Sequence, residues 1–402
     1  MTAHHTVSPR VVVIGGGYSG IYAANHLRLR SDLDITVVNP RPHFVERIRL
    51  HQFAAGTHPA TVDYGSLLGS GIRLVVDTAT RIDTDARRVE LRSGDALDYD
   101  YLIYAVGSTG AAPASVPGAA KYAYSVAEFE SAQRLRDALD ALQPEVTPAP
   151  PVTVVGGGMT GVETAAELAE AGHRVTLVGG GQLVPNFSRS GRRSVVRSLH
   201  RLGVTVLESE VVTEVRPDAV VFADGAVRPS AVTVWATGFG VPPLAAASGL
   251  RTDELGRLLT DETLTSIDDD RIVAAGDCAA PSGAPLRMCC ATASQLGPQA
   301  ADTVLSRLAG DVPARFHYAY GGFCISLGRR AGVLQLARRD DSAVNLYFGG
   351  RLGARIKETV CRGTVWGLRQ AARRPGFAVA FKGGPRPDVA DVPIDRRTGA
   401  PR

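Results

Sequence analysis

Two strings constrain this chain more than anything else in it: PRVVVIGGGYSG at residues 9–20 and PVTVVGGGMTG at residues 151–161. Each sets a short run of β-branched residues before a glycine turn and a helix-forming stretch after it. An uninterrupted valine and isoleucine run reads as a strand buried on both faces, which in an α/β protein is a central parallel strand. Helices are expected over residues 21–30 and 162–171, and second strands at Asp34–Asn39 and Arg174–Val178. Each string thus completes a β-turn-α-β half-unit of Rossmann type. The expected fold class is α/β, with two such units and a small α+β C-terminal region.

In Gly15-x-Gly17-x-x-Gly20 the first glycine permits a tight turn, the second lets a pyrophosphate reach the backbone, and the third lets helix pack on strand. The helix N-terminus then offers N–H groups and positive potential to the phosphates. Gly156-x-Gly158-x-x-Gly161 repeats the spacing in the same strand–turn–helix context, which favours a dinucleotide over a plain glycine-rich turn. The second strand of such a unit usually ends in a carboxylate for the ribose. Here the first ends in Asn39, followed by Pro40 and Arg41, and the second in Gly179-Gly180-Gly181. An amide can still bond ribose hydroxyls, whereas a glycine run neither holds a ribose nor repels a 2′-phosphate, so NADH and NADPH both remain open. Arg189, Arg192 and Arg193 either meet such a phosphate or begin a solvated helix.

The 402 residues suffice for two or three domains. The proline-rich QPEVTPAPP at 143–151 cannot continue a helix or a central strand and reads as a connection. Residues 72–106 and 204–238 alternate in the manner of antiparallel strands, so the two halves match beyond their glycine turns. The expected division is a first domain over 1–143 completed by 266–312, a second over 151–265, a C-terminal region over 313–382, and a flexible tail over 383–402. No apolar run is long enough to span a bilayer and the N-terminus is polar, so a cytoplasmic location is expected. The five cysteines form neither a disulfide framework nor a zinc spacing, and no metal or nucleic acid is called for. The net charge of +4 is uneven, because residues 315–402 hold 17 Lys/Arg against 6 Asp/Glu.

With AVGS (105–108), ATGF (236–239) and AAGDCAA (274–280) added, the chain resembles the flavoprotein reductases with two dinucleotide folds. Within them it is most similar to the type II NADH dehydrogenase-like group, which includes apoptosis-inducing-factor-like proteins, over roughly residues 9 to 370. The resemblance implies FAD in the first unit and NADH or NADPH in the second. It puts Gly15, Gly17, Tyr18, Ser19 and Gly20 at the FAD pyrophosphate, Asn39, Pro40 and Arg41 at its ribose, and Ala79 beside the adenine. Ala105 and Gly107 fall at the crossover turn, Gly276 and Asp277 at the ribityl and pyrophosphate, and Ala293 near the flavin. A capping role for a buried aspartate is the alternative at Asp277. For the nicotinamide nucleotide it implies Gly156, Gly158, Met159, Thr160, Gly161, Gly179, Thr237 and Gly238.

Catalytic positions implied by the resemblance are Glu163, Arg47 and Gln295. Glu163 would face nicotinamide and flavin, or else serve as a partner of the helix dipole in the first turn. Phe44 and Arg47 match residues that cover the flavin, while Gln52 stands where relatives carry a lysine. Glu46, Arg49 and His51 read as a solvent-facing helix or as part of a substrate pocket. Ala291 replaces the first of two glutamines that type II dehydrogenases place near the quinone, and Gln295 keeps the second. No cysteine lies in residues 21–60, so a dithiol relay is not expected, and Cys289–Cys290 either touches the flavin or, more simply, supplies small residues for a tight helix–flavin contact.

The segment 351–374 is rich in arginine, has one acid, Glu358, and carries Leu352, Ile356, Val360, Trp366 and Leu368 as an apolar stripe. It suits an anionic lipid surface on the inner face of a membrane, or the cover of the chain's own core or of a second copy in a homodimer. Three functions follow: a type II dehydrogenase-like enzyme reducing a quinone, an NAD(P)H-dependent flavoenzyme acting on another small molecule, or a redox-signalling flavoprotein of apoptosis-inducing-factor type.

Overall fold

The computed structural model describes residues 8–111, 115–142, 149–338, 341–378 and 383. Five parallel strands form its first sheet, in the order Ile272–Ala274, Tyr101–Tyr104, Arg10–Ile14, Asp34–Asn39 and Ile72–Val76. Alternate residues of the central strand explain why both faces are apolar. Val11 and Val13 pack under Ala23, Ala24 and Leu27 of helix Tyr18–Leu27 and under Leu296, Ala300 and Val304 of helix Cys290–Ala309. Val12 and Ile14 face Ile82, Val89 and Leu91 of an antiparallel sheet made by Ala79–Asp83, Arg88–Leu91 and Ala96–Asp98. The strand Ile72–Val76, expected to be antiparallel, is instead the outer parallel strand. Its alternation arises from the edge position: Ile72 and Leu74 pack inward, while Arg73 turns out to Thr36 Oγ1 at 2.9 Å.

The second sheet repeats the plan in the order Ala123–Ser125, Val232–Trp235, Pro151–Val155, Arg174–Val178 and Thr205–Leu207, again all parallel. Its antiparallel companion is Val212–Val215, Ala219–Phe222 and Val227–Pro229. The strand Ala123–Ser125 and helix Phe129–Asp140 lie before the proline-rich stretch yet belong here, because Leu135 and Leu139 fill the same core as Val152 and Val154. Residues 143–148 of that stretch lie outside the described residues. The return to the first unit also comes earlier than position 266: Leu244, Ala245, Leu250 and Leu258 are buried with Val12 and Tyr104. The two crossings between the units pair with each other, Thr109–Gly110 antiparallel to Phe239–Gly240.

A third sheet, Gly322–Ser326, Gly332–Ala337 and Ala343–Gly349, leads into the long helix Gly350–Arg373. The sheet lays Phe323, Ile325, Leu327 and Val333 on the second unit's core. The helix lays Val365, Leu368 and Ala371 on Tyr18, Tyr22, Phe44 and Leu67 of the first. The C-terminal region therefore touches both units. Of the expected tail, only Gly383 is among the described residues.

Candidate functional site: two glycine cradles and a buried charge cluster

The two glycine turns have one geometry. Gly15 and Gly156 sit at φ +108 and +138, a backbone that other residues rarely adopt. A Cβ on Gly15 would collide with the Ala105 carbonyl oxygen, and one on Gly156 would lie 2.7 Å from that of Ala236. A Cβ on Gly20 or Gly161 would collide with the carbonyl of Gly15 or Gly156. At Gly17 and Gly158, by contrast, a Cβ would meet nothing within 4 Å. The first and third glycines are thus demanded by the chain's own packing, and the second opens onto free space. Helices Tyr18–Leu27 and Met159–Glu170 begin there with no side-chain cap and no acid in the first turn, so their leading N–H groups are left for an anion.

Around the first cradle, the Gly16 N–H donates to Asn39 Oδ1 at 3.0 Å and Asn39 Nδ2 donates to the Arg41 carbonyl at 2.8 Å. Asn39 therefore braces the turn, with one amide N–H left for a ribose. Arg41 forks onto Glu130 at 2.7 and 2.6 Å, Pro40 is exposed, and Ala79 opens its strand half-buried. Gly276, at φ +84, lies so close to Ser19 that a Cβ would strike its hydroxyl, and Ala293 is beside it. Arg47 Nε donates to Ala127 O and its Nη1 to Ser108 Oγ, both at 3.0 Å, while Ser108 Oγ donates to Asp277 Oδ2 at 2.7 Å. Asp277 Oδ1 is buried with no hydrogen-bond partner. A buried carboxylate oxygen left unpaired is costly. A ligand hydroxyl would satisfy it, and so these residues fit FAD: helix N–H groups for phosphate, open space at Gly17, and an acceptor for a ribityl hydroxyl. Ala105 lies under this turn, as Ala236 and Thr237 do in the second unit, and Gly107 and Gly238 follow them at φ +72 and +73.

Glu163 lies beyond the first turn of its helix, so it is no dipole partner. Its Oε1 accepts from Ser326 N at 2.8 Å, Ser326 Oγ at 3.1 Å and Lys357 Nζ at 3.0 Å, which leaves Oε2 for a ligand. Burial pushes its carboxyl up, but Lys357, His51 and the Ser326 N–H outweigh that and hold it below the ordinary range. Burial lowers the Lys357 ammonium and the facing Glu163 carboxylate raises it further, so the lysine stays charged. Burial brings His51 down to about 4, so it is neutral. The next residue, Glu358, takes a fork from Arg49 at 3.1 and 3.1 Å. Consecutive residues of one helix thus ion-pair into both units. Glu46, Arg49 and His51 are buried in this cluster rather than solvent-facing, and Arg49 also donates to Gln52 Oε1 at 2.8 Å.

Gln295 does not reach the cluster through its amide. Its Nε2 donates to the Ala291 and Ala319 carbonyls at 3.0 and 3.2 Å, and its Oε1 accepts from Ala319 N at 3.0 Å, so it braces the chain entering the third sheet. Sequence reasoning missed Lys357, Ser326 and the Arg49–Glu358 fork. One signal was available: Lys357 is one of only three lysines in a chain with 44 basic residues, and it stands in a helix otherwise supplied with arginine.

Two glycine cradles of one geometry in units joined by paired crossings, with an unpaired buried acceptor at Asp277 beside the first, fit an FAD-dependent oxidoreductase fed by a nicotinamide nucleotide. Residues 9–303 match the pyridine nucleotide-disulphide oxidoreductase family, and the chain belongs to that family. An NADH dehydrogenase-like protein of Mycobacterium tuberculosis is 33% identical over 294 residues, covering 67% of this chain and 73% of that protein. A type II NADH:quinone oxidoreductase of Staphylococcus aureus is 27% identical over 414 residues, covering 93% and 98%. The fold matches the sulfide:quinone oxidoreductase of Aquifex aeolicus with a TM-score of 0.75 at 21% identity, covering 92% of this chain and 93% of that one. It matches the NDH2 of Plasmodium falciparum in complex with NADH, also at 0.75, with 17% identity, covering 93% and 100%.

Proposed function

We propose that the enzyme passes electrons from NAD(P)H to a quinone. The observation that carries the reading is the arrangement just described, in which both second glycines open onto free space while Asp277 holds out an unpaired buried acceptor. The quinone is supported by the likeness to the Staphylococcus aureus enzyme over nearly the whole of both chains. FAD, when bound, takes a hydride from the nicotinamide and delivers two electrons to the acceptor.

The chain's own part is placement. Gly15, Gly17, Tyr18, Ser19 and Gly20 hold the FAD pyrophosphate, Asp277 the ribityl chain, and the Arg47–Ser108 link fixes Asp277. Asn39 and Ala79 lie toward the ribose and adenine. Gly156, Gly158, Met159, Thr160 and Gly161 hold the nicotinamide nucleotide, with Thr237 and Gly238 below it. Glu163 presents Oε2 to the nicotinamide and flavin side, held charged and aimed by Lys357 and Ser326. In the domain division that the sheets support, the FAD unit takes residues up to 111 and resumes near 244, and the nicotinamide unit takes 115–240.

The outer face of helix Gly350–Arg373 bears on location. Leu352, Val360 and Trp366 are 52, 40 and 55% exposed on it, with Arg355, Arg362 and Arg369 along one side. No helix among the described residues is long and apolar enough to cross a membrane. Such a face lies in an anionic interface, so we place the enzyme peripherally on the inner side of a membrane, where a lipid-soluble quinone is at hand. An anaerobic titration tests the reading: NADH or NADPH should bleach the flavin absorbance and a quinone restore it. Bleaching with no recovery on adding quinone would remove the acceptor assignment.

A further inference from the structure

The end of the second strand is where a Rossmann unit normally reads the ribose 2′ position, through a side chain. Gly179 cannot carry one. A Cβ there would lie 2.7 Å from the Gly181 carbonyl oxygen and 2.8 Å from that of Glu208. The Gly180 and Gly181 N–H groups donate to the carbonyls of Glu210 and Glu208 at 3.0 and 2.6 Å, so the glycine run lies flat against the chain leaving the neighbouring strand Thr205–Leu207. That close approach brings in the Glu208 carboxylate, whose Oε1 accepts the Leu183 N–H at 3.4 Å. Leu183 in turn borders the cradle, because a Cβ on Gly157 would lie 3.1 Å from its Cδ2.

We propose that Glu208 is the residue that discriminates between the two nicotinamide nucleotides: the acid missing from the second strand is supplied by the next one, and it disfavours a 2′-phosphate. The proposal rests on the reading of the second cradle as the NAD(P)H site. A 2′-phosphate adds nearly two negative charges at the rim of the glycine run, against a carboxylate fixed there by a backbone N–H. Of the three arginines that open helix Arg189–Arg201, Arg192 has its guanidinium against the Gln182 amide, whose oxygen accepts from it once that amide is turned to face it. At a partly solvated rim the repulsion corresponds to roughly tenfold in selectivity.

The test is Glu208→Gln, which keeps an oxygen for Leu183 N and removes the charge. Measured with kcat/KM for NADH and NADPH, and independently with the Kd of NAD⁺ and NADP⁺ by calorimetry, the unmodified enzyme should favour the form without the phosphate. The variant should lose about tenfold of that preference, mainly through a lower KM for NADPH and a lower Kd for NADP⁺. On the unmodified enzyme the preference should also shrink as ionic strength rises, a reading that needs no variant. An unchanged ratio in a variant with its melting temperature intact overturns the assignment, as does a salt-independent preference. A loss of NADPH use in Arg192→Gln would show that the phosphate is met by Arg192 and would overturn it too. Failure of the unmodified enzyme to bind either nucleotide would instead remove the reading of the cradle itself.

Discussion

Substituting the middle glycine of the first cradle should separate ligand binding from folding. Gly17 has φ −81 and ψ −167, a conformation open to any residue, and a Cβ there meets nothing within 4 Å, so Gly17→Val costs the chain itself little. The isopropyl group would stand where the pyrophosphate must approach the backbone. Excluding the phosphates from the helix N-terminus should weaken FAD by at least about 1,000-fold, or ~4 kcal/mol. FAD at 100 times its Kd stabilises the fold by about 2.7 kcal/mol, and Gly17→Val should lack that increment while melting like unmodified protein stripped of FAD. Gly15→Ala and Gly20→Ala should melt lower still, because their Cβ atoms collide with the Ala105 and Gly15 carbonyls. The assay is the ratio of flavin to protein absorbance after desalting, beside thermal melts with and without added FAD. Stoichiometric FAD in Gly17→Val would refute the reasoning. The matching change in the second cradle, Gly158→Val, should keep FAD and abolish its reduction by NADH.

Glu163→Gln and Lys357→Met should each destabilise by about 3–5 kcal/mol, since either leaves a buried charge unpaired, and a double-mutant cycle should show the losses to be less than additive. Because Glu163 is lowered and Lys357 raised, the pair's stabilisation is complete between the ordinary carboxylate and lysine ranges, and unfolding at graded pH should show it fading as pH falls through the one or rises through the other. Burial raises the Glu358 carboxyl, but Arg49 and Arg362 outweigh that and bring it to about 2, so its contribution is present above the ordinary carboxylate range and is lost as pH falls toward that value; Glu358→Gln should flatten the acid limb. Trp366→Ala with Leu352→Ser should reduce sedimentation with anionic vesicles severalfold without changing FAD content, and equal binding would remove the membrane assignment.

The glycine turns, their helices and their central strands were legible because Val11–Ile14 and Val152–Val155 are buried on both faces and their apolar runs say so directly. The edge strand Ile72–Val76 was misread because half-exposure produces alternation whichever way a strand runs. Where the chain changes units was not legible either. Ala123–Ser125 joins the second sheet by backbone hydrogen bonds to Val232–Trp235, which leave no mark on its own three residues. Asp277 and Arg47, which motif strings single out, are linked through Ser108, whereas Lys357 and Ser326 reach Glu163 from elements with no motif, and only packing reveals them. Gln295 held its expected place in sequence, but its amide is consumed by Ala319.

The pairing of Leu102 with Ile272 bears on how the chain is made. The first sheet lacks its outer strand until the whole second unit has been synthesised, and until then the backbone edge of Tyr101–Tyr104 is exposed. Pairings so distant in sequence close slowly, and unpaired edges invite association between chains. The second unit, from Ala123 to Trp235, holds all five of its strands in one contiguous stretch and can close by itself. Vectorial synthesis therefore favours an order in which the second unit's sheet forms first although it comes later in the chain, and the first unit's sheet closes around Ile272–Ala274 only afterwards.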